Sequence, residues 1–312
     1  MRFNEIIGNK EAKELLIKTI KSKNLLNSYL FVGEEGIGKK EIAIEFARMI
    51  LCEDDDFEND SSCSSCIKFD SNNHPDFSLI ESESNIISVD DIREIVDDVY
   101  QKPINSSRKI IVIDNAEYMN ESAQNAFLKT LEDPPSYVTI ILITSREDML
   151  LNTILSRCTK IQFNRLSESE IEEYVDRNND KFDNKVKNLI SYANGSVGKL
   201  YAIQDNADFI EEMNNIIDML INKKYSSKID FMKANEKLYA SKDNIYDILD
   251  FIIMILFKEL KNNYNLADKV TNIIKNVELA KTKLKANCNF EMTIDDVLFK
   301  MWEEINEEYS RR

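Results

Sequence analysis

Apolar residues follow two kinds of pattern along this chain. In the first half they form short unbroken runs, Ser28-Tyr-Leu-Phe-Val32, Lys109-Ile-Ile-Val-Ile-Asp114 and Val138-Thr-Ile-Ile-Leu-Ile143, separated by stretches of helical spacing. Runs of this length suit strands buried on both faces, and their alternation with helices predicts a parallel sheet with crossover connections. In the second half the spacing is that of the helix. Ile210, Met213, Ile216, Ile217 and Leu220 form one apolar face, and Ile245, Ile248, Leu249, Ile252 and Leu256 another. Val270, Ile273, Ile274 and Val277, then Val297, Leu298, Met301 and Trp302, continue the series.

Glycine and proline sharpen that division. The chain has only six glycines and four prolines, every proline precedes residue 136, and neither residue occurs after Gly198. Everything beyond Gly198 is therefore expected to be helix joined by polar turns. Phe163-Asn-Arg-Leu-Ser167 opens a new helix, and a second boundary is read near residues 206–208. The expected organisation is an α/β domain over 1–165, a small helical domain over 166–207 and an all-helical domain over 208–312.

Composition narrows the function classes. Hydrophobic residues at 43% and charged residues at 31% exclude a disordered chain. The apolar run Phe251 to Phe257 is far short of the ~20 residues a membrane-spanning helix needs. The N-terminus Met1-Arg-Phe-Asn-Glu5 lacks the apolar run of a secretory signal. A cytoplasmic protein without membrane contact is the expectation. The net charge of −16 repels duplex DNA, so nucleic-acid contact needs a local basic patch or a partner. With His74 as the single histidine, a two-histidine metal site is excluded. Five cysteines, an odd number without secretory context, read as reduced thiols.

Half of the scarce glycines fall in one place. Gly33-Glu-Glu-Gly36-Ile-Gly38-Lys39-Lys40 follows an apolar run and precedes a helical stretch, matching G-x-x-x-x-G-K in the strand–loop–helix context that motif requires. Gly33, Gly36 and Gly38 let backbone amides curl round a phosphate, and Lys39 reaches its outer oxygens. The alternative is a glycine-rich turn that binds nothing. Hydrolysis is a separate question. The motif's last position supplies a Ser or Thr hydroxyl to Mg²⁺, and here it is Lys40, whose ammonium cannot ligate a cation. Asp114 closes the second acidic strand where an Mg²⁺-binding aspartate is expected. The next residue, Asn115, is an amide that cannot accept a proton as general base. ATP hydrolysis with Mg²⁺ is not expected of this chain.

Several motifs now occur in order: Ile6-Ile-Gly8-Asn9, Asn27-Ser-Tyr-Leu-Phe31, the phosphate loop, Asn73-His-Pro-Asp76, Ala123-Gln-Asn-Ala-Phe-Leu-Lys-Thr-Leu-Glu-Asp-Pro-Pro135 and Ile154-Leu-Ser156-Arg157-Cys158. Together they resemble the bacterial clamp-loader subunits of the AAA+ class, strongly through residue 165 and moderately through Leu200. Beyond that only Asn287-Cys-Asn-Phe-Glu-Met292 is similar. The resemblance implies an AAA+ P-loop domain, a helical lid and an all-α C-terminal collar domain. Motor subunits of the gamma/tau type carry Thr after the loop lysine, Asp-Glu at the second strand and an arginine in Gly-Ser-x-Arg. Here stand Lys40, Asp114-Asn115 and Gly195-Ser-Val-Gly198. The departures are those of a non-hydrolysing member, partnered by gamma/tau motor subunits and a delta subunit and, through them, by the sliding clamp and primer-template DNA.

The resemblance also assigns roles. Arg157 is similar to the arginine finger that one subunit inserts into its neighbour's ATP site; the alternative is a surface arginine paired with a carboxylate. Thr144 and Ser145 match the first sensor, expected here as a structural remnant. Family members bind a structural zinc through four cysteines after the phosphate-loop helix. Cys52, Cys63 and Cys66 match three of them, and Asp60 occupies the fourth position. Zinc accepts a carboxylate oxygen, though Asp54 to Asp56 or water would also serve, and a metal-free acidic loop is the alternative. His74 is expected to hydrogen-bond the turn that follows it, and Cys158 and Cys288 to be small buried hydrophobes. Three rival readings are an active gamma/tau-like ATPase, a zinc-ribbon DNA-binding module and a scaffold of unrelated function on the same fold.

Overall fold

The computed structural model describes residues 3, 5–54, 63–82, 86–182, 184–187, 189–205, 211, 213–214, 227–234, 236–239, 242, 245–262 and 267–305. The expected helical face from Ile210 to Leu220 lies almost wholly outside them, with only Met213 described and buried. Contacts divide the chain into two compact units, Met1–Arg177 with Asn194–Lys199, and Asn178–Ala193 with Leu200–Arg312.

The first unit runs α1 (Lys10–Lys21), β1 (Ser28–Val32), α2 (Lys39–Leu51), α3 (Ser64–Asp70), β2 (Phe77–Ile80), α4 (Val89–Val99), β3 (Lys109–Ile113), α5 (Glu121–Glu132), β4 (Val138–Thr144), α6 (Asn152–Leu155), β5 (Thr159–Gln162) and α7 (Glu168–Arg177). The strands form one sheet in the order β2-β3-β4-β1-β5, every neighbouring pair parallel. This is the α/β P-loop architecture expected, with two further strands that the apolar runs did not mark.

The buried runs work on both faces because side chains alternate across a strand. Tyr29, Phe31, Ile110, Val112, Ile141 and Ile143 join one core, with Ile42, Phe46 and Leu16 from α2 and α1. Leu30, Ile111, Ile113, Ile140 and Leu142 join the other, with Ile92, Ile95 and Phe127 from α4 and α5. A helix start that matters here is capped locally. Ser88 and Asp91 form a reciprocal capping box at α4, and the Asn120 side chain accepts from the Ala123 amide at 2.9 Å to start α5.

The regular elements described in the second unit are all helical: α8 (Asn184–Lys187), the end of α9 (Val197–Gln204), α10 (Lys228–Ala234), α11 (Ile245–Asn262), α12 (Ala267–Lys285) and α13 (Phe290–Ile305). Ile245, Ile248, Leu249, Ile252 and Leu256 are buried as their spacing predicts, as are Val270, Ile273, Val277, Val297, Leu298 and Met301. Turns in this glycine-poor chain use asparagine. Asn9, Asn72, Asn115, Asn194 and Asn287 all adopt positive φ, which asparagine tolerates best among residues with a Cβ. Cys288, just after Asn287, is exposed rather than buried, because it lies in the polar turn between α12 and α13. No helix among the described residues is long and apolar enough to cross a membrane.

Candidate functional site

The phosphate loop leaves the carboxyl end of β1, between β4 and β5, where the Gly33 amide donates to the Thr144 carbonyl at 3.3 Å. Gly36 (φ 73) and Gly38 (φ 91) take left-handed conformations that turn the chain into the first residues of α2. Lys39 is buried and points back into the loop. Its Nζ donates to the carbonyls of Gly33 at 2.8 Å and Glu34 at 2.5 Å. Burial pushes the Lys39 ammonium below its ordinary pKa, against the opposing pull of Glu117 and Asp114.

Lys40, the departure from the motif, lies against two carboxylates. Its ammonium makes a close ion pair with Glu81 and approaches Asp114 Oδ2 at 4.0 Å. Strand register explains the meeting. Ile80 is opposite Ile113, and the Asp114 amide donates to the Ile80 carbonyl at 3.0 Å, so Glu81 and Asp114 leave adjacent strands side by side. Burial raises the Asp114 pKa, while Lys40 pulls it down. Asn115 follows at φ 50, ψ 54.

Two residues on, Glu117 is buried, a position that sequence reasoning did not single out. One of its oxygens accepts from the Ser145 amide at 2.9 Å and from the Ser145 hydroxyl at 2.5 Å. Burial alone would raise the Glu117 pKa, but these hydrogen bonds hold it below the ordinary value. The expected first-sensor residue Ser145 is thus engaged within the chain, and the Thr144 hydroxyl accepts from the Arg146 amide at 3.1 Å.

Residues 194–199 pack directly on the loop. The Ser196 hydroxyl donates to the Glu35 carbonyl at 2.9 Å, and the Gly198 amide to the Gly36 carbonyl at 3.0 Å. Arg165 pairs with Glu34 beside them. A Cβ at Gly198 would meet Gly36 Cα at 2.8 Å, and one at Gly36 would meet Ser196 Oγ at 2.5 Å. The position at which motor subunits carry a sensor arginine therefore has no room for a side chain in this arrangement.

Arg157 sits elsewhere, just past α6. Its guanidinium donates to the Thr153 carbonyl at 2.8 Å, the Ser156 hydroxyl at 3.3 Å and Glu132 Oε1 at 2.5 Å. Glu132 ends α5 just before the Asp133-Pro-Pro135 turn, and its side chain is 52% exposed against 31% for Arg157. This is the carboxylate-paired surface arginine of the plainer reading. It is also a guanidinium that a partner can reach. Cys158 next to it is partly rather than fully buried, and burial pushes its thiol up to about 12.

Cys52, at the end of α2, Cys63, at the N-terminus of α3, and Cys66 bring their sulfurs within 4.8 Å of one another. Cys52 and Cys63 Sγ lie 4.0 Å apart, close to the ~3.8 Å that tetrahedral zinc–thiolate bonds of about 2.3 Å impose. The Cys66 amide donates to Cys63 Sγ at 3.3 Å. These three residues fit zinc as three of its four ligands; Asp60, the expected fourth, lies outside the described residues. His74 is no ligand. Its Nδ1 accepts from the Asp76 amide at 3.1 Å and its Nε2 lies 2.9 Å from the Ser65 hydroxyl. Asp76 in turn accepts from the amides of Ile104, Asn105 and Ser106 at 2.5–2.8 Å, fixing the loop before β3.

Comparison with known proteins adds to this geometry. A family model described as DNA polymerase III, delta subunit, matches residues 8–167. The chain is similar to DNA polymerase III subunit delta' of Bacillus subtilis (strain 168), 24% identical over 93% of this chain and 95% of that protein. It is also similar to DNA polymerase III subunit gamma/tau of Mycoplasma genitalium, 29% identical over 86% of this chain but only 43% of that longer protein. Among solved structures, a DNA polymerase III gamma-subunit-related protein from Thermotoga maritima matches with a TM-score of 0.44 and 17% identity, over 93% of this chain and 99% of that one.

Proposed function

This chain belongs to the DNA polymerase III delta-subunit family, and from that premise we propose that it serves as a delta-prime-type subunit of a clamp loader in DNA replication, one that hydrolyses no ATP itself and donates Arg157 to a neighbouring motor subunit. The observation that carries the reading is the contrast between a phosphate loop whose Lys39 ammonium is buried on the loop's own carbonyls and an arginine held at the surface by an exposed carboxylate. A guanidinium delivered to a neighbour's γ-phosphoryl oxygens offsets charge that develops in the transition state, worth roughly 10³–10⁵ in rate at such sites. Its partners in this reading are gamma/tau motor subunits and a delta subunit, with the sliding clamp and primer-template DNA met through the assembly.

The similarity to gamma/tau proteins favours the alternative of a hydrolysing motor. Lys40 and Asn115 weigh against it, since neither supplies the hydroxyl or the carboxylate that hydrolysis uses. The proposal includes a three-part division, with an AAA+ domain over 1–165, a lid over 166–207 and a collar domain over 208–312. Collar helices would pack against equivalent domains of the partners.

The cysteine cluster belongs to the same proposal. Cys52, Cys63 and Cys66 hold a structural zinc, with Asp60 as fourth ligand, that ties the end of α2 to the start of α3. Bound zinc would supply only a cross-link, without chemistry of its own. Protein purified without chelator is expected to carry about one zinc per chain, and Cys63→Ser to lose it; a content far below one in the wild type sinks the site. The functional test is ATP turnover by a loader rebuilt with Arg157→Ala in this chain. Turnover at the adjoining site falls by about 10³ or more if Arg157 is a finger, and unchanged turnover removes the role.

A further inference from the structure

In P-loop sites that hydrolyse, a divalent ion bridges the hydroxyl after the loop lysine and the aspartate of the second acidic strand. Here that aspartate, Asp114, faces the ammonium of Lys40, which also pairs with Glu81. Asp114 is largely enclosed, its side chain 14% exposed, so its charge needs a nearby counter-ion. We infer that Lys40 is a built-in counter-ion occupying the role of the divalent metal, and that with it the chain holds its phosphate loop in the formed state without nucleotide or metal.

The other loop contacts agree with a self-supported loop. Lys39 spends its ammonium on the Gly33 and Glu34 carbonyls rather than keeping it for an outer phosphate. Ser196 and Gly198 bond the Glu35 and Gly36 carbonyls at the loop's apex. The local charge argues against an anion as well. Two lysines face Asp114, Glu81 and Glu117, with Glu34 and Glu35 in the loop itself, so a triphosphate would enter a site already rich in carboxylates. Lys40 is tethered one residue into α2, so the counter-ion cannot leave with product as a metal does. The inference deepens the non-hydrolysing reading and rests on it only for the absence of turnover. What it adds is a cause: the loop stays formed because its cation is covalently part of the helix.

Thermal melting of the intact chain tests this without any assay of turnover. The wild type is expected to melt at the same temperature in buffer without added divalent ion, with millimolar Mg²⁺ and with Mg²⁺–ATP. Lys40→Ala leaves Glu81 and Asp114 together without their cation. Its midpoint should fall by about 2–4 °C and be restored in part by Mg²⁺ alone. Lys40→Arg, which keeps the charge, should regain most of the midpoint and lose the Mg²⁺ response. A Lys40→Ala midpoint equal to wild type and indifferent to Mg²⁺ would overturn the inference, as would a wild type stabilised by Mg²⁺–ATP. If Lys40→Ala does not fold, Glu81→Gln reads the same contact. Amide exchange across residues 33–40 quickens several-fold if Lys40 needs both carboxylates, and wild-type exchange there refutes the role. The two proposals fail separately. Silent Arg157→Ala in the loader with a Mg²⁺-responsive Lys40→Ala removes the finger and keeps the counter-ion.

Discussion

The phosphate loop and the Arg157 corner both hold cations within one α/β unit, yet they dispose of them in opposite ways. In the loop, Lys39 is buried on backbone carbonyls and Lys40 is paired with two carboxylates, one of them largely enclosed. At the corner, Arg157 pairs with Glu132, an exposed residue, and both side chains keep contact with water. An exposed pair of this kind is worth about 0–1 kcal/mol, so a competing anion can displace it at small cost. Enclosed contacts are harder to trade. Lys40 and Glu81, 35% and 48% exposed, are as wet as the Arg157 pair, so the difference lies in buried Lys39 and in the enclosed Asp114 that Lys40 also faces.

That contrast can be broken from the loop side first. Glu117→Ala removes a buried carboxylate that accepts two hydrogen bonds from Ser145, and should cost about 3 kcal/mol at neutral pH in denaturant melts. The folded-state pKa of Glu117 lies below its unfolded value, so this stability is present above the ordinary glutamate range and is lost as pH falls through the folded pKa. The gap between variant and wild type should therefore close below about pH 4. A gap that stays constant to pH 3 means that Glu117 acts through packing alone.

Gly198→Arg restores the side chain that motor subunits carry at this position. Its Cβ would strike Gly36 Cα at 2.8 Å, so the expected result is a loss of about 1–3 kcal/mol and faster amide exchange at residues 33–38. Wild-type stability would show that residues 194–199 shift freely off the loop. The smallest effect is expected at the corner. Glu132→Gln should change stability by no more than about 0.5 kcal/mol and should not lower the turnover of the assembled loader, because it only releases Arg157. A fall in turnover would mean that Glu132 orients the guanidinium for its task.

Much of this was legible in the sequence, for identifiable reasons. β1, β3 and β4 are buried on both faces and therefore read as unbroken apolar runs. β5, Thr159–Gln162, is an edge strand with only Ile161 buried, so its letters look like a loop. β2, Phe77–Ile80, is half-buried and four residues long, too short for a periodicity to register. Missing β2 hid the partner of Lys40. The sequence shows that the motif's hydroxyl is lost, but only the β2–β3 register sets Glu81 beside Asp114. Glu117 escaped notice for a related reason, since its partner Ser145 is distant in sequence and meets it through the sheet. The left-handed asparagines were equally hidden, because asparagine reads as an ordinary polar loop residue. Cys288 misled as a buried thiol since nothing in its neighbours marks the turn at Asn287.

The most direct test sets the two regions against each other in one assembly. ATP turnover stimulated by clamp and primed DNA is measured for loaders carrying Lys39→Ala or Arg157→Ala in this chain alone. The account predicts near wild-type turnover with Lys39→Ala and a severe loss with Arg157→Ala. The reverse result, loss with Lys39→Ala and none with Arg157→Ala, would make the chain a working motor and contradict the account.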